Sequence, residues 1–301
     1  MPVPQTDVPS SGLVGAVSLP DDLGVFPITR ADELAAFFAA HGYAVLRGLW
    51  PEDTLRDLER SCVAAQRELL AGRLDSRHGS VELVEEADGA GTPATAFANY
   101  VAHLTDVSPE VRAAALAPQI ADLVQRMIGP CVLLEDEPFG VVYQDARPGR
   151  DSGYSRIGWH SDWQSGPHLD RWPSVAFTVH LDGTGPDNGF LRVVPGSHLW
   201  ATPAPFRNAN GVPVPDGARP TGGHTDAAPP YEMPLGFAKV AGEAAVYCER
   251  GDILFHDAYL WHSAARATVD DAVRRHIRGG WYAGPLDPQV TIADFVKNAA
   301  R

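Results

Sequence analysis

The sequence predicts a mainly β fold, a sandwich or jelly roll, with helices flanking it. Three observations carry this. From about residue 131 onward the chain breaks into short strand-like runs separated by Asp-Gly, Asn-Gly, Pro-Gly and Arg-Gly turns. Within that region "SVAFTVHLDG" alternates cleanly, placing Val175, Phe177, Val179 and Leu181 on one face. Helical periodicity, by contrast, is confined to residues 25–130, which reads as a helical layer placed before the β core.

The elements follow in order. Residues 1–24, rich in Pro, Ser and Gly, read as an extended arm. Thr29 with Asp32 has the form of a capping box, and Leu34, Phe37 and Phe38 give the following helix an apolar face until Gly42. Tyr43–Leu46 reads as a strand. Pro51 is placed as the first residue of a second helix with Leu55, Leu58 and Cys62 on one side. Residues 71–106 lack a clear period and read as a long loop of the kind that forms lids or binding loops. Helices are expected from Ser108-Pro109 and from Gln119 to Ile128, stopped by Gly129-Pro130. Strands follow at Cys131–Leu134, Phe139–Gln144, Val175–Leu181, Ala244–Cys248, Ile253–Phe255 and Arg274–Tyr282. Residues 201–241, dense in Pro and Gly, read as an insertion across the mouth of a core spanning 131–290. The whole is expected to be one domain.

Composition narrows the function classes. A chain of 301 residues, 45% hydrophobic, can bury a sizeable core. A formal net charge of −14 argues against a nucleic-acid partner, which needs a clustered positive face. The first basic residue is Arg30 and no sustained apolar run precedes it, so neither signal peptide nor membrane anchor is expected and the cytoplasm is the default location. Three widely spaced cysteines, Cys62, Cys131 and Cys248, favour neither a disulfide framework nor a thiolate zinc site. The expected partner is a small molecule. Oligomeric state is left open.

The stretch "GWHSDW" sets His160 and Asp162 two residues apart, on one face if the chain is extended. Together with a distant second His they would form a facial triad for non-haem Fe(II). Spacing alone does not decide, because about 1.4 His-x-acid pairs are expected at random for this composition and the chain has four. His224/Asp226 and His168/Asp170 sit in loop-like surroundings. His180/Asp182 ends a convincing strand, with Thr178 and His180 on one face, but Asp182 opens an Asp-Gly turn where Asp commonly serves the backbone.

"GWHSDW", then "SVAFTVHLDGTGPDNGFLRVVPGSH", then "GDILFHDAYLWHSA" and an Arg-containing strand together resemble the phytanoyl-CoA dioxygenase family of Fe(II)/2-oxoglutarate oxygenases. The likeness covers about residues 139–282, with a weaker one in "FFAAHGYAVLRGL". It implies a double-stranded β-helix (jelly-roll, cupin-like) core, with Fe(II), 2-oxoglutarate and O2 as cofactor and cosubstrates. It implies His160, Asp162 and His262 as the metal ligands and catalytic centre. His256 also follows Gly251-Asp252, yet it is His262 that precedes an arginine by twelve residues, where the family places its 2-oxoglutarate anchor; that arginine is Arg274. Its far carboxylate needs a fixed planar cation of this kind.

Gln144, Thr178 and Ser263 are the further candidate cosubstrate contacts, Ser263 standing where the family more often has Gly-Ser after the distal His. Tyr143 resembles a polar residue aimed into the barrel, and Trp159 and Trp163 are expected to wall the iron. Along "RRHIRGGWY", Arg274, His276 and Arg278 share one face and Arg275 and Ile277 the other, with Arg278 the reserve anchor. An acidic residue at 162 implies oxidation of a substrate C–H bond, by hydroxylation, desaturation, cyclisation or epimerisation, rather than halogenation. The Ala-, Arg-, Gly- and Asp-rich composition points to a GC-rich bacterial genome, and the resemblance implies an enzyme of a kind that often tailors secondary metabolites there. A redox-neutral metal-dependent isomerase or lyase, and a non-catalytic binding module on the same barrel, are the alternatives.

Overall fold

The computed structural model describes residues 23–79, 82–84, 95–135, 140–147, 158–162, 174–199, 207–208, 231–232, 238–269 and 272–283. Trp163, the pairs His168/Asp170 and His224/Asp226, residues 1–22 and most of 201–241 lie outside them.

The helical layer begins with β1 (Val25–Pro27), α1 (Ala31–His41), β2 (Tyr43–Arg47) and α2 (Glu52–Leu70). The capping box does not form, because residues 28–30 make a 3-10 turn that moves the helix start to Arg30, which has no side-chain cap. Arg30 instead pairs with Glu33. Gly42 ends α1 in the left-handed conformation (φ 78°), its N–H bonding the Phe38 carbonyl at 2.7 Å. A Cβ there would lie 2.5 Å from His198 Nδ1, so only glycine fits. Pro51 is the cap residue of α2 rather than its first turn, and Leu55, Leu58, Cys62, Ala65 and Leu69 form the buried stripe.

The segment 71–106 is not a structureless loop. It holds the paired strands β3 (Glu82–Val84) and β4 (Thr95–Phe97), β5 (Tyr100–Val101) and the short helix α3 (Leu104–Val107). Next come α4 (Pro109–Ala115), capped by the Ser108 hydroxyl, and α5 (Pro118–Ile128). The remaining strands are β6 (Val132–Leu133), β7 (Val142–Ala146), β8 (Val175–His180), β9 (Leu191–Val193), β10 (Arg207–Asn208), β11 (Tyr231–Glu232), β12 (Ala244–Val246), β13 (Ile253–Asp257), β14 (His262–Ala264) and β15 (Arg274–Tyr282). Among the described residues no helix is long and apolar enough to cross a membrane.

Two facing sheets result. Among the described residues the larger runs β1-β2-β13-β8-β15-β7-β5, with β6 also on β15, and the smaller runs β12-β9-β14. This is a double-stranded β-helix core.

Alternation along the strands gives the large sheet two different faces. Ala44 and Leu46 of β2, Ile253 and Phe255 of β13, Phe177 and Val179 of β8, and Ile277 and Trp281 of β15 pack outward against α1, α2 and α5 in the main core. The opposite residues, Tyr43 and Val45 of β2 and Leu254 of β13, meet Val193 and Val246 of the small sheet in a second core inside the barrel. That apolar cluster lies on the β2–β13 side. Toward β8, β15 and β7 the inward positions include Thr178, His180, Gln144, Arg274, His276 and Arg278, interspersed with Ala176, Val142 and Ala146, which makes this half of the barrel more polar than the other.

Candidate metal centre

His262 opens β14, and its backbone exchanges two hydrogen bonds with His160: His160 N–H to the His262 carbonyl at 3.0 Å and the reverse at 2.8 Å. Residues 158–162 are therefore held by a single bridge to the small sheet rather than running as the extended strand the spacing suggests. That bridge puts both imidazoles on one inward face, ring centres 4.2 Å apart. The Asp162 carboxylate closes the group, Oδ1 lying 3.6 Å from His160 Nε2 and 3.3 Å from His262 Nε2. One ligand atom from each of the three lies within 4.8 Å of the others.

The chemistry of this donor set suits a divalent cation. His160 Nδ1 is 2.8 Å from the Gly158 carbonyl and His262 Nδ1 is 2.9 Å from the Leu260 carbonyl. A carbonyl can only accept, so Nδ1 carries the hydrogen in each ring and Nε2 turns a lone pair toward Asp162. Both imidazoles are buried, and the Asp162 carboxylate is largely so. Burial lowers the pKa of His160, and His262 adds to that. Burial also opposes charge on His262, but the adjacent Asp162 carboxylate outweighs it and raises this pKa. Burial works against Asp162 ionising too, yet His262 and His160 hold it well below the usual carboxylate range. Two neutral nitrogen donors and one carboxylate are a set that fits Fe(II) with open positions remaining.

His256 is the neighbour rather than a member of this group, with its ring 4.5 Å from that of His262 and its Nδ1 3.8 Å from Asp162 Oδ2. Burial, reinforced by His262, pushes its pKa down to about 4. His180 faces inward too but stands beside His276, 6.1 Å between ring centres, away from the triad.

Arg274 is buried on the inward face of β15. Room for it depends on Gly189, where a Cβ would sit 2.6 Å from the Ala265 carbonyl and 3.3 Å from Arg274 Nη1. Gln144 and Thr178 share that wall, Gln144 across from His276 and Thr178 across from Arg278.

Three other expectations need correction. Ser263, although fully buried, alternates to the face opposite His262, in register with Arg192. Trp159 lies on that far side as well, its indole N–H bonded to the Ala238 carbonyl at 2.8 Å and the Arg192 guanidinium 4.9 Å over its ring, so it does not wall the centre. Tyr143 points into the helix-side core.

Arg275 is on the outward face but is not a free surface charge. Its guanidinium takes both oxygens of Asp182, at 2.7 and 2.8 Å, and reaches Glu59 of α2 at 2.6 Å. Asp252, of the "GD" pair, is likewise structural, accepting from Arg47 Nη2 at 2.8 Å and from the Glu249 N–H at 2.8 Å. Neither pairing has a local sequence signal, because the partners lie 93 and 205 residues apart.

The sequence pattern of the family described as "Phytanoyl-CoA dioxygenase (PhyH)" matches residues 38–276. No curated protein sequence matches. Among solved structures, EctD from S. alaskensis with bound Fe superposes with a TM-score of 0.56 at 20% identity, covering 83% of this chain and 76% of that one. The non-heme alpha ketoglutarate dependent epimerase SnoN from nogalamycin biosynthesis superposes at 0.54 and 19%, covering 85% and 84%. EvdMO1 does so at 0.54 and 19%, covering 84% of this chain, which spans 50% of EvdMO1. At such identities these structures establish the jelly-roll fold alone. The family match covers most of the chain, and with it the chain belongs to the phytanoyl-CoA dioxygenase family of non-haem Fe(II)/2-oxoglutarate-dependent enzymes.

Proposed function

We propose that His160, Asp162 and His262 hold Fe(II), that Arg274 anchors the far carboxylate of 2-oxoglutarate, and that the chain oxidises a small organic molecule in bacterial secondary metabolism. The observation that carries the reading is the convergence of two imidazole Nε2 atoms and one carboxylate within 4.8 Å, on the barrel's inward side with Arg274 buried on the facing sheet. When bound, iron and 2-oxoglutarate supply dioxygen activation coupled to decarboxylation to succinate, ending in removal of a substrate hydrogen.

The chain's own residues do the rest. The Gly158 and Leu260 carbonyls orient the two imidazoles and fix their tautomers. Arg274 offers a planar fork that suits a carboxylate with two parallel hydrogen bonds. Thr178 and Gln144 are polar groups on the same wall, suited to orient cosubstrate. The apolar cluster around Tyr43, Val45 and Leu254 keeps water from the other half of the barrel. We take residues 1–301 as one oxygenase domain.

SnoN, crystallised with Fe3+, alpha ketoglutarate and nogalamycin RO, is an epimerase, and EctD has been crystallised with 2-oxoglutarate and 5-hydroxyectoine. These names support small-molecule oxidation, with epimerisation and hydroxylation among the outcomes. Succinate formation from 2-oxoglutarate tests the reading. It is expected from the iron-loaded chain and lost in His160→Ala, Asp162→Ala and His262→Ala; turnover that survived all three would exclude this centre.

A further inference from the structure

Arg278 stands four residues beyond Arg274 on the same face of β15, with His276 between them. Its direction is set by its neighbours: Ile277 and Trp281 lie in the helix-side core and Arg275 reaches Glu59 of α2, so Arg274, His276 and Arg278 look into the barrel. Its cross-strand neighbours are Thr178 on one side and Val142 on the other. The next inward row, Gly280–Ala176–His256, ends at the imidazole whose Nδ1 is 3.8 Å from Asp162. Arg278 is thus one inward step, about 7 Å along the strand, from the row that touches the triad.

Among the described residues no counter-charge meets it. The Nε of Arg278 is buried without a hydrogen-bond partner, and among the described residues no carboxylate pairs with its guanidinium. The acids of the surrounding strands and turns are committed elsewhere: Asp145 to Arg147, Asp182 to Arg275, Asp252 to Arg47 and Asp162 to the two histidines. His276 and His180, the rings on the same wall, are held neutral by burial and then by Arg274. Loading the site does not remedy this. The charges of Fe(II), the Asp162 carboxylate, the 2-oxoglutarate dianion and the Arg274 guanidinium cancel, which leaves the charge of Arg278 over. A half-buried cation whose buried Nε has no partner is unfavourable unless a ligand supplies the anion.

We propose that Arg278 is a substrate-binding residue and that the substrate is a small organic anion whose carboxylate or phosphate it binds. The inference rests on the iron and 2-oxoglutarate reading above. A guanidinium fork is suited to either oxyanion through paired N–H donors, and its place on the wall holds the anion a short step from the triad, so the carbon to be oxidised lies within a few bonds of the charged group.

The test uses the anaerobic protein loaded with Fe(II) and 2-oxoglutarate, with benzoate, phenyl phosphate and the neutral benzamide as probes in titration calorimetry. The loaded protein is expected to bind one of the anions at least about tenfold more tightly than benzamide, a difference of the size a charge-assisted pair supplies. Arg278→Gln should erase that preference and Arg278→Lys should keep part of it. The affinity for 2-oxoglutarate, read from the visible absorbance of its iron complex, should stay within about threefold in both variants. Which anion binds more tightly separates a carboxylate from a phosphate substrate. Equal binding of benzamide and both anions, no binding of either anion, or a preference that survives Arg278→Gln would overturn the inference and leave the cosubstrate reading intact. Loss of 2-oxoglutarate affinity in Arg278→Gln but not in Arg274→Ala would instead overturn both, making Arg278 the cosubstrate anchor.

Discussion

Arg274 and Arg275 are adjacent in sequence and opposite in task, because β15 turns them to different faces of the large sheet. Removing the Arg274 fork deletes two charge-assisted bonds, so Arg274→Ala should raise the Michaelis constant for 2-oxoglutarate by roughly a hundred- to several-thousand-fold, about 3–5 kcal/mol. Iron content should be unchanged. Arg275→Ala should leave that constant within about threefold but lower unfolding free energy by about 1–3 kcal/mol, since Asp182 and Glu59 lose their shared cation. Chemical denaturation alongside kinetics separates the two effects. The faces of these arginines were legible from alternation alone. The clamp on Arg275 was not, because Glu59 arrives from a helix 216 residues earlier. The His-x-acid pairs show the same limit: four shared one spacing, and the pairing of His160 with His262 across the small sheet is what gathers one of them into a three-donor group.

Between elements, α2 carries the outer layer. Its stripe of Leu55, Leu58, Cys62, Ala65 and Leu69 is buried, and Glu59 bridges Arg250 and Arg275 at 2.8 and 2.6 Å, stapling the helix to the turn at Arg250 and to β15. Leu58→Ala should cost about 2–5 kcal/mol of stability, measured by denaturant unfolding, with little change in the apparent affinity for 2-oxoglutarate. Gly189→Ala should act in the reverse sense. At φ 85° and with a Cβ 2.6 Å from the Ala265 carbonyl, alanine would push β9 from β14 and crowd Arg274, raising the Michaelis constant for 2-oxoglutarate more than it lowers stability. Long periodic elements such as α2, β8 and β15 were readable because one face of each is apolar. The strands β3, β4 and β5 were not, being two or three residues long in a segment without alternation. Thr29 and Asp32 satisfied the capping pattern but lost to a 3-10 turn that starts the helix elsewhere.

Across the whole molecule, the barrel interior is divided into an apolar half and a more polar half, and the more polar half carries a pH cost. Burial, then Arg274, pushes the pKa of His180 down to about 3. The unfolded chain, with an imidazole near 6.5, binds that proton more readily, so the His180 contribution is fully present above about pH 6.5 and is lost as pH falls toward 3. Between pH 7.5 and pH 5 the wild type should lose about 2 kcal/mol more than His180→Gln in the same urea titrations. Equal losses would show that His180 is not buried neutral. The division of the interior also bears on the central claim, that one inward cluster holds the metal while the other inward histidines serve the wall. Anaerobic titration of Fe(II) in the presence of 2-oxoglutarate, followed through the weak visible charge-transfer band of the complex, tests it most directly. The account predicts a saturable band with one iron per chain in the wild type and in His180→Ala, and none in His160→Ala, Asp162→Ala or His262→Ala. A band that persisted in those three variants and vanished in His180→Ala would contradict it.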